Sequence, residues 1–162
     1  MNIELLSIGD ELLIGQTINT NAAWIGQEMS LIGARIIRTT VISDTTEAIQ
    51  SSLDSIDSNT DCIIITGGLG PTKDDITKKT LCQFFDDELV LNKEVLDKIT
   101  QYFDERNRTV NDYTRLQALV PSNCQVITNH KGTAPGMWFD YNGKVVVSMP
   151  GVPHEMKNMM NL

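Results

Sequence analysis

Three short strand-like segments, separated by helical patterns, constrain the fold of this chain more than any other feature. The segments are IELLSI (3–8), RIIRTTVI (35–42) and DCIIIT (61–66). Apolar residues recur at helical spacing between them, over 18–31 and over 49–56. This alternation, with largely apolar or β-branched strands, is typical of a parallel sheet covered by helices on both faces. It predicts an α/β fold with three layers, α/β/α, around a mainly parallel sheet.

The second half of the chain adds helices and then returns to strands. The segment 92–107 carries an apolar stripe at helical spacing, and RLQALVP (115–121) predicts a short helix stopped by its proline. QVIT and GMWFDYNGKVVVSM predict strands, and Asn142-Gly143 within the latter is a strong hairpin signal. PGVPHEMKNMMNL begins a helix with Pro153 near its first turn. It breaks off without a stop signal, so we expect one domain over 1–162 that is a fragment of a longer chain.

Charge and cysteine usage exclude several classes of function. The net charge of −8, with scattered Lys and Arg, argues against nucleic acid as a partner. The three cysteines show no zinc-ligand spacing, which favours free thiols in a reducing compartment. No signal peptide is recognisable at the N-terminus, and no apolar run approaches the roughly 18 residues of a membrane span. We expect a cytoplasmic protein without a membrane partner.

Several carboxylates follow the predicted strands at the point where each strand ends. Asp10 and Glu11 follow the first strand, Asp44 the second, and Asp74 and Asp75 the third. Right-handed crossovers bring these ends to one edge of the sheet, where ligands of such folds bind. Unpaired carboxylates would repel one another there, and a divalent cation with oxygen ligands, such as Mg²⁺ or Mn²⁺, relieves that repulsion.

Each of these acids also has a structural interpretation. Asp44 and Glu47 have the spacing of a capping box, which would make Asp44 the N-cap of the next helix. One of Asp74 and Asp75 is expected to cap the helix that follows, and Glu11 fits an exposed surface position.

The segment TGGLGPTKDD (66–75) combines features that attract and repel phosphate. It lacks the Walker A and GxGxxG spacings. Gly67, Gly68 and Gly70 nevertheless let backbone N–H groups approach a ligand closely, and a helix N-terminus follows. Lys73 can neutralise a phosphate, although a solvated lysine is equally consistent with the pattern. The segment therefore predicts a phosphate-binding loop beside a metal site.

Three further polar residues are candidates for ligand contacts. Asn19 and Asn21 stand at a helix start, where capping is the simpler role and a hydrogen bond to a sugar or base the alternative. Thr133, in NHKGTAPGMWF, can donate a hydroxyl. The two histidines, His130 and His154, fit loop or surface positions better than a catalytic base.

Five ordered motifs resemble those of the N-terminal domain of the CinA (competence- and damage-inducible) family. They are SIGDELLIGQTINTNAAW, VISDTTEAI, TGGLGPTKDDIT, NHKGTAPGMWF and MPGVPHEM, and the match covers essentially the whole chain. That domain is similar to the molybdopterin-binding proteins MogA and MoaB and to a domain of MoeA. The resemblance implies a MogA-like fold and a metal-dependent ADP-ribose pyrophosphatase that yields AMP and ribose 5-phosphate.

The resemblance implies that two acids with functional importance in the molybdopterin proteins fall, by motif, on Asp44 and Asp75, and that the GDEL acid of the MoeA-like pattern falls on Asp10. The GTAPG and PGVP segments fit CinA rather than MogA, which weakens a molybdenum-cofactor role. Full CinA proteins continue into a C-terminal nicotinamide-nucleotide deamidase, whose motifs are absent from this sequence.

The leading hypothesis is therefore hydrolysis of a nucleotide-sugar pyrophosphate such as ADP-ribose. Asp10, Asp44 and Asp75, with Glu11 and Asp74, would hold Mg²⁺, Mn²⁺ or Co²⁺, while the glycine amides and Lys73 bind the phosphates. The alternative is a non-catalytic module that binds molybdopterin or a nucleotide. The resemblance also implies a homo-oligomer, with a dimer favoured and a trimer second.

Overall fold

The computed structural model describes residues 1–70 and 76–161. Eight strands, numbered in chain order, form two sheets in this part of the chain. They are β1 (Asn2–Ile8), β2 (Arg35–Ile42), β3 (Cys62–Thr66), β4 (Leu89–Leu91), β5 (Leu119–Pro121), β6 (Gln125–Ile127), β7 (Gly136–Tyr141) and β8 (Lys144–Met149). The helices are α1 (Asp10–Leu13), α2 (Thr20–Leu31), α3 (Thr46–Asp54), α4 (Thr77–Phe84), α5 (Lys93–Asp104), α6 (Asp112–Arg115) and α7 (Pro153–Met160), with a 3₁₀ turn at Leu116–Ala118.

The main sheet confirms the predicted α/β architecture. Its strand order is β2-β1-β3-β8-β7-β6, and β4 pairs with β5 in a separate two-stranded sheet. The four strands from β2 to β8 run parallel, whereas β7 and β6 are antiparallel additions at one side. The β7–β8 hairpin turns at Asn142-Gly143, where both residues have positive φ, as the sequence predicts.

The alternation of side chains along β1 and β3 divides the core between the two faces of the sheet. Leu6, Ile8, Ile63 and Ile65 pack on one face, under α3 and α4. On the other face Ile3, Leu5, Cys62 and Ile64 pack under α2 and α7. Every residue of β3 is buried, because helices cover both of its faces. The apolar run that indicated a central strand is therefore the middle layer of three.

Two local predictions are wrong. Thr45, not Asp44, is the N-cap of α3: its Oγ1 accepts a hydrogen bond from the amide of Ala48 at 3.3 Å. The expected short helix over 115–121 is instead the end of α6, a 3₁₀ turn and β5. Pro121 lies in that strand opposite Leu89, because the tertiary pairing with β4 outweighs the local helical spacing.

A buried carboxylate ties the start of the sheet to the loop before β3. Glu4 is buried in β1, and its Oε1 accepts hydrogen bonds from Thr60 Oγ1 at 2.5 Å and from the Asp57 amide at 2.9 Å. Its Oε2 accepts from Arg38 Nε on β2 at 2.6 Å. A charge removed from water is stable only when paired in this way, so the network aligns three segments of the chain.

Among the described helices, none is both long enough and apolar enough to span a membrane.

We expect Glu4→Ala to lower the free energy of unfolding by about 2–4 kcal/mol, because it leaves the Thr60 hydroxyl and Arg38 Nε without their acceptor. Urea denaturation followed by circular dichroism measures this loss. Glu94→Ala, at an exposed helix position, is the matched control and should change stability by no more than about 0.5 kcal/mol. Equal effects at both positions would contradict a stabilising role for the Glu4 network.

Candidate functional site

A cavity of about 620 Å³ opens at the carboxyl ends of the parallel strands. Ile8 and Gly9 line it at the end of β1, Asp44 after β2, the segment Gly67–Gly70 after β3, and Pro150-Gly151 after β8. The position is the one at which open α/β sheets bind ligands. The convergence that the sequence predicts for the strand ends is thus present for these residues.

The ends of β1, β3 and β8 approach one another closely at Gly67. Its φ is +111°, and a Cβ built there would lie 2.2 Å from the carbonyl oxygen of Ile8. A Cβ at Gly151 would likewise lie 3.3 Å from the Cα of Gly67. The Gly67 amide donates to the Met149 carbonyl at 3.0 Å. That amide is therefore paired within the protein, and Gly67 is needed for close packing of the strand ends. Its predicted contact with a phosphate stays a prediction.

Gly68 brings the acid after β2 close to the start of α4. Its φ is +66°, and a Cβ there would lie 2.0 Å from Thr77 Oγ1 and 3.6 Å from Asp44 Oδ1. Thr77 is fully buried, and its Oγ1 has no hydrogen-bond partner among the described residues. Thr77 is the last residue of the motif TGGLGPTKDDIT. The motif is recognisable in the sequence, but Thr77 was not among the predicted site residues.

The predicted metal ligands divide into three groups. Glu11 and Asp44 line the cavity. Asp10 is exposed at the start of α1 and is not part of the cavity wall formed by the described residues. Asp74 and Asp75 lie outside the described residues, as does Lys73, which was predicted to bind phosphate.

The side chains of the cavity supply some, but not all, of the oxygen ligands that a divalent cation needs. Carboxylates are the ligands that Mg²⁺ and Mn²⁺ prefer, and two of them, on Glu11 and Asp44, line one cavity. Within 1–70 and 76–161, however, no three acids, histidines or cysteines come close enough to hold a metal ion. A complete site would need further ligands from 71–75 or from the ligand itself.

A third carboxylate in the wall belongs to Glu155, which sequence reasoning did not single out although it lies in MPGVPHEM. It stands in the first turn of α7 and accepts a hydrogen bond from Asn129 Nδ2 at 2.6 Å. Asn129 also donates to the Ala134 carbonyl at 2.9 Å. A Cβ at Gly132 would lie 2.4 Å from this carboxylate. Glu155 thereby holds the loop that places Thr133 in the wall, where the sequence predicts a ligand contact.

Asn19 and Asn21 support the wall without forming part of it among the described residues. Asn19 Oδ1 caps α2 by accepting from the Ala22 amide at 3.1 Å, and its Nδ2 donates to Ser7 Oγ at 2.9 Å. Asn21 is buried and donates to the Gly151 carbonyl at 2.7 Å. The capping interpretation of Asn19 is confirmed, and Asn21 anchors the loop after β8.

Lys78 and Gln117 connect α4 to the opposite side of the cavity. Gln117 lines the cavity from the 3₁₀ turn, and its Nε2 donates to the Leu69 carbonyl at 3.4 Å. Lys78 Nζ donates to the Leu116 carbonyl at 2.9 Å. Burial, and secondarily the charge of Lys79, lowers the pKa of Lys78 to about 8. No motif marks either residue in the sequence.

The cysteines offer no nucleophile to this site. Burial raises the pKa of the Cys62 and Cys124 thiols to about 11 and also raises that of Cys82. All three are free thiols, which are protonated at neutral pH and poorly reactive in that form.

The chain matches, over residues 4–162, the family model described as "Probable molybdopterin binding domain". The tungsten cofactor synthesizing protein MoaB of Pyrococcus furiosus has a similar fold, with a TM-score of 0.63. The superposition covers 99% of this chain and 88% of that one at 19% identity, which supports the fold alone.

More similar relatives carry the CinA name. A CinA-like protein of Cytophaga hutchinsonii is 48% identical over 98% of this chain, and one of Flavobacterium psychrophilum is 45% identical over 99%. This chain covers 38% of the length of each. The crystal structure of the protein CinA, of unknown function, from Thermoplasma acidophilum superimposes with a TM-score of 0.88 at 31% identity, covering 99% of this chain and 94% of that one. The chain therefore belongs to the molybdopterin-binding domain family, as one of its CinA-like members.

We expect Gly67→Ala to destabilise the protein by more than about 3 kcal/mol, since a Cβ would collide with backbone. Gly15→Ala is the matched control: its φ is +73°, but nothing lies within 4 Å of the added Cβ. It should cost only about 1 kcal/mol, from the positive φ. Thermal unfolding of both variants measures the difference. Similar losses would show that backbone conformation, and not close packing of the strand ends, requires Gly67.

Proposed function

We propose that this cavity binds the phosphate-bearing part of a molybdopterin or a nucleotide. The observation that carries the proposal is the backbone surface of Gly68 and Gly70 within a cavity of about 620 Å³ at the strand ends. Glycines leave main-chain N–H groups accessible to phosphate oxygens, and a cavity of a few hundred Å³ suits a ligand of nucleotide size. The family description supports a ligand of this chemical class.

The acids of the wall determine how an anionic ligand is accepted. Asp44, Glu11 and Glu155 would repel a diphosphate on their own. A divalent cation such as Mg²⁺, Mn²⁺ or Co²⁺, held by Glu11 and Asp44, would compensate the negative charge of the carboxylates and of the diphosphate. Thr133 stands in the same wall and offers a hydroxyl to a sugar or phosphate oxygen. Binding should therefore depend on the cation.

Calorimetric titration of the chain with ADP-ribose in the presence of Mg²⁺ tests this proposal. We expect binding that weakens at least about tenfold when EDTA replaces Mg²⁺, because the wall carboxylates then face the diphosphate unscreened. Asp44→Asn should also weaken binding in Mg²⁺, whereas Asp97→Asn, on the exposed side of α5, should not. Absence of binding to ADP-ribose and to a molybdopterin in every metal would overturn the proposal.

A second candidate function is hydrolysis of ADP-ribose in the same cavity. The observation that favours it is the presence of the Glu11 and Asp44 carboxylates beside the glycine segment. A divalent cation bound there would polarise the diphosphate and lower the pKa of a water. The water oxygen would add to phosphorus as the bridging P–O bond breaks, giving AMP and ribose 5-phosphate. The amides of Gly68 and Gly70 would stabilise charge on the phosphoryl oxygens.

Incubation of the chain with ADP-ribose and Mg²⁺, Mn²⁺ or Co²⁺, followed by chromatography, tests for AMP. We expect Asp44→Asn to reduce AMP formation at least about a hundredfold, from the loss of a charged ligand. Asp75→Asn, chosen from the sequence motif, should do the same. If binding is measured but no metal yields AMP, the hydrolase candidate fails and the binding function stands.

A further inference from the structure

We propose that the Glu155 carboxylate accepts a hydrogen bond from a ribose hydroxyl of a nucleotide in this cavity, and so fixes the direction in which the nucleotide lies. This inference rests on the proposed function, because it assigns a further contact in the same cavity. It also narrows that function to a nucleotide, since a molybdopterin carries no ribose to make the contact.

The first observation is that Glu155 has a free acceptor that a ligand can reach. The residue lines the cavity and is half-buried. Its Oε2 accepts from Asn129 Nδ2 at 2.6 Å, whereas Oε1 has no hydrogen-bond partner among the described residues and is not one of their buried unpaired atoms. In the same part of the chain, no ion pair joins the carboxylate to a cation. Oε1 is therefore open to a donor that arrives with the ligand.

The second observation is that the carboxylate is held in one position. Asn129 Nδ2 also donates to the Ala134 carbonyl at 2.9 Å, which ties Glu155 to the loop before β7. A Cβ at Gly132 would lie 2.4 Å from Oε2 and 2.6 Å from Oε1, so the carboxylate occupies the space that a side chain would fill. An acceptor fixed in this way discriminates between ligands, because little ordering is left to occur on binding.

The strand order of the main sheet separates Glu155 from the acids proposed to hold a cation. β2 and β1, which precede Asp44 and Glu11, lie on one side of β3, and β8, which leads into α7 and Glu155, lies on the other. Gly68 and Gly70, after β3, stand between them. Neighbouring strands are about 4.8 Å apart, so a diphosphate bound by the cation and the glycine amides extends towards Glu155 through its sugar.

A ribose hydroxyl is the donor that best fits this acceptor. It is uncharged and needs a single acceptor, which Oε1 supplies, and its hydrogen bond to a carboxylate is short and strong. Acidic side chains bind ribose hydroxyls in the same way in dinucleotide-binding folds. The donor edge of a pterin presents two N–H groups side by side, and one of them would compete with Asn129 for Oε2.

Calorimetric titrations in Mg²⁺ with ADP-ribose, ADP and the 2′,3′-dideoxyadenosine counterpart of ADP-ribose test the assignment. ADP lacks the terminal ribose, and the dideoxy compound lacks both hydroxyls of the adenosine ribose, so the two probes distinguish the two sugars. For the natural chain we expect one probe to bind about tenfold more weakly than ADP-ribose. Glu155→Gln keeps an oxygen for Asn129 but removes the free carboxylate oxygen, so that ratio should fall to about two.

Glu94→Gln is the matched control. Glu94 also stands in the first turn of a helix, α5, but at an exposed position. Its substitution should leave both ratios as they are in the natural chain. Glu155→Ala is a second variant in case Glu155→Gln does not fold, and the same fall in the ratio is expected for it.

The outcomes separate this inference from the function on which it rests. If ADP-ribose binds but both ratios are the same in the natural chain and in the Glu155 variants, the inference alone is overturned. Ratios near one for both probes in the natural chain would overturn it as well. If the natural chain does not bind ADP-ribose, the nucleotide-binding function is overturned and the ribose contact with it.

Discussion

The close contact of Gly67 with the ends of β1 and β8 is the constraint on which the rest of this site depends. Gly67 has no side chain between the Ile8 carbonyl and Gly151, and its amide is committed to Met149. Three parallel strands can therefore end side by side, and the loops after them open into one cavity. Any larger residue at this position would separate the strand ends that form the cavity wall.

Hydrogen bonds from polar side chains fix three other parts of the cavity wall: the loop after β8, the loop that contains Thr133, and the 3₁₀ turn. Asn21 fixes the loop after β8 through the Gly151 carbonyl, and Asn129 joins Glu155 on α7 to the loop that contains Thr133. Lys78 holds the 3₁₀ turn from the other side. These three parts of the wall are thus attached by hydrogen bonds to helices packed on the main sheet, which is how rigid sites are built from loops.

Local patterns predicted most of the elements because the spacing of apolar residues records which face of each element is buried. β2 has the predicted bounds, and β1, β3 and the β7–β8 hairpin lie where apolar runs and Asn142-Gly143 indicate them. The failures occur where two local solutions compete. Asp44 and Thr45 are both good caps one residue apart, and it is the Thr45 hydroxyl that accepts from the helix amide. At 115–121 the pairing of β5 with β4 overrides a helical spacing.

The sequence by itself determined the layered fold and the edge of the sheet at which acids and glycines meet, since strand periodicity and crossover handedness are local rules. Only the tertiary structure decided which of these residues face the cavity. It placed Glu11 and Asp44 in the wall and Asp10 outside it, and it committed the Gly67 amide to Met149. It also brought in Glu155 and Gln117 from distant segments. The direction of a side chain in a loop depends on contacts with distant segments, which no spacing along the chain encodes.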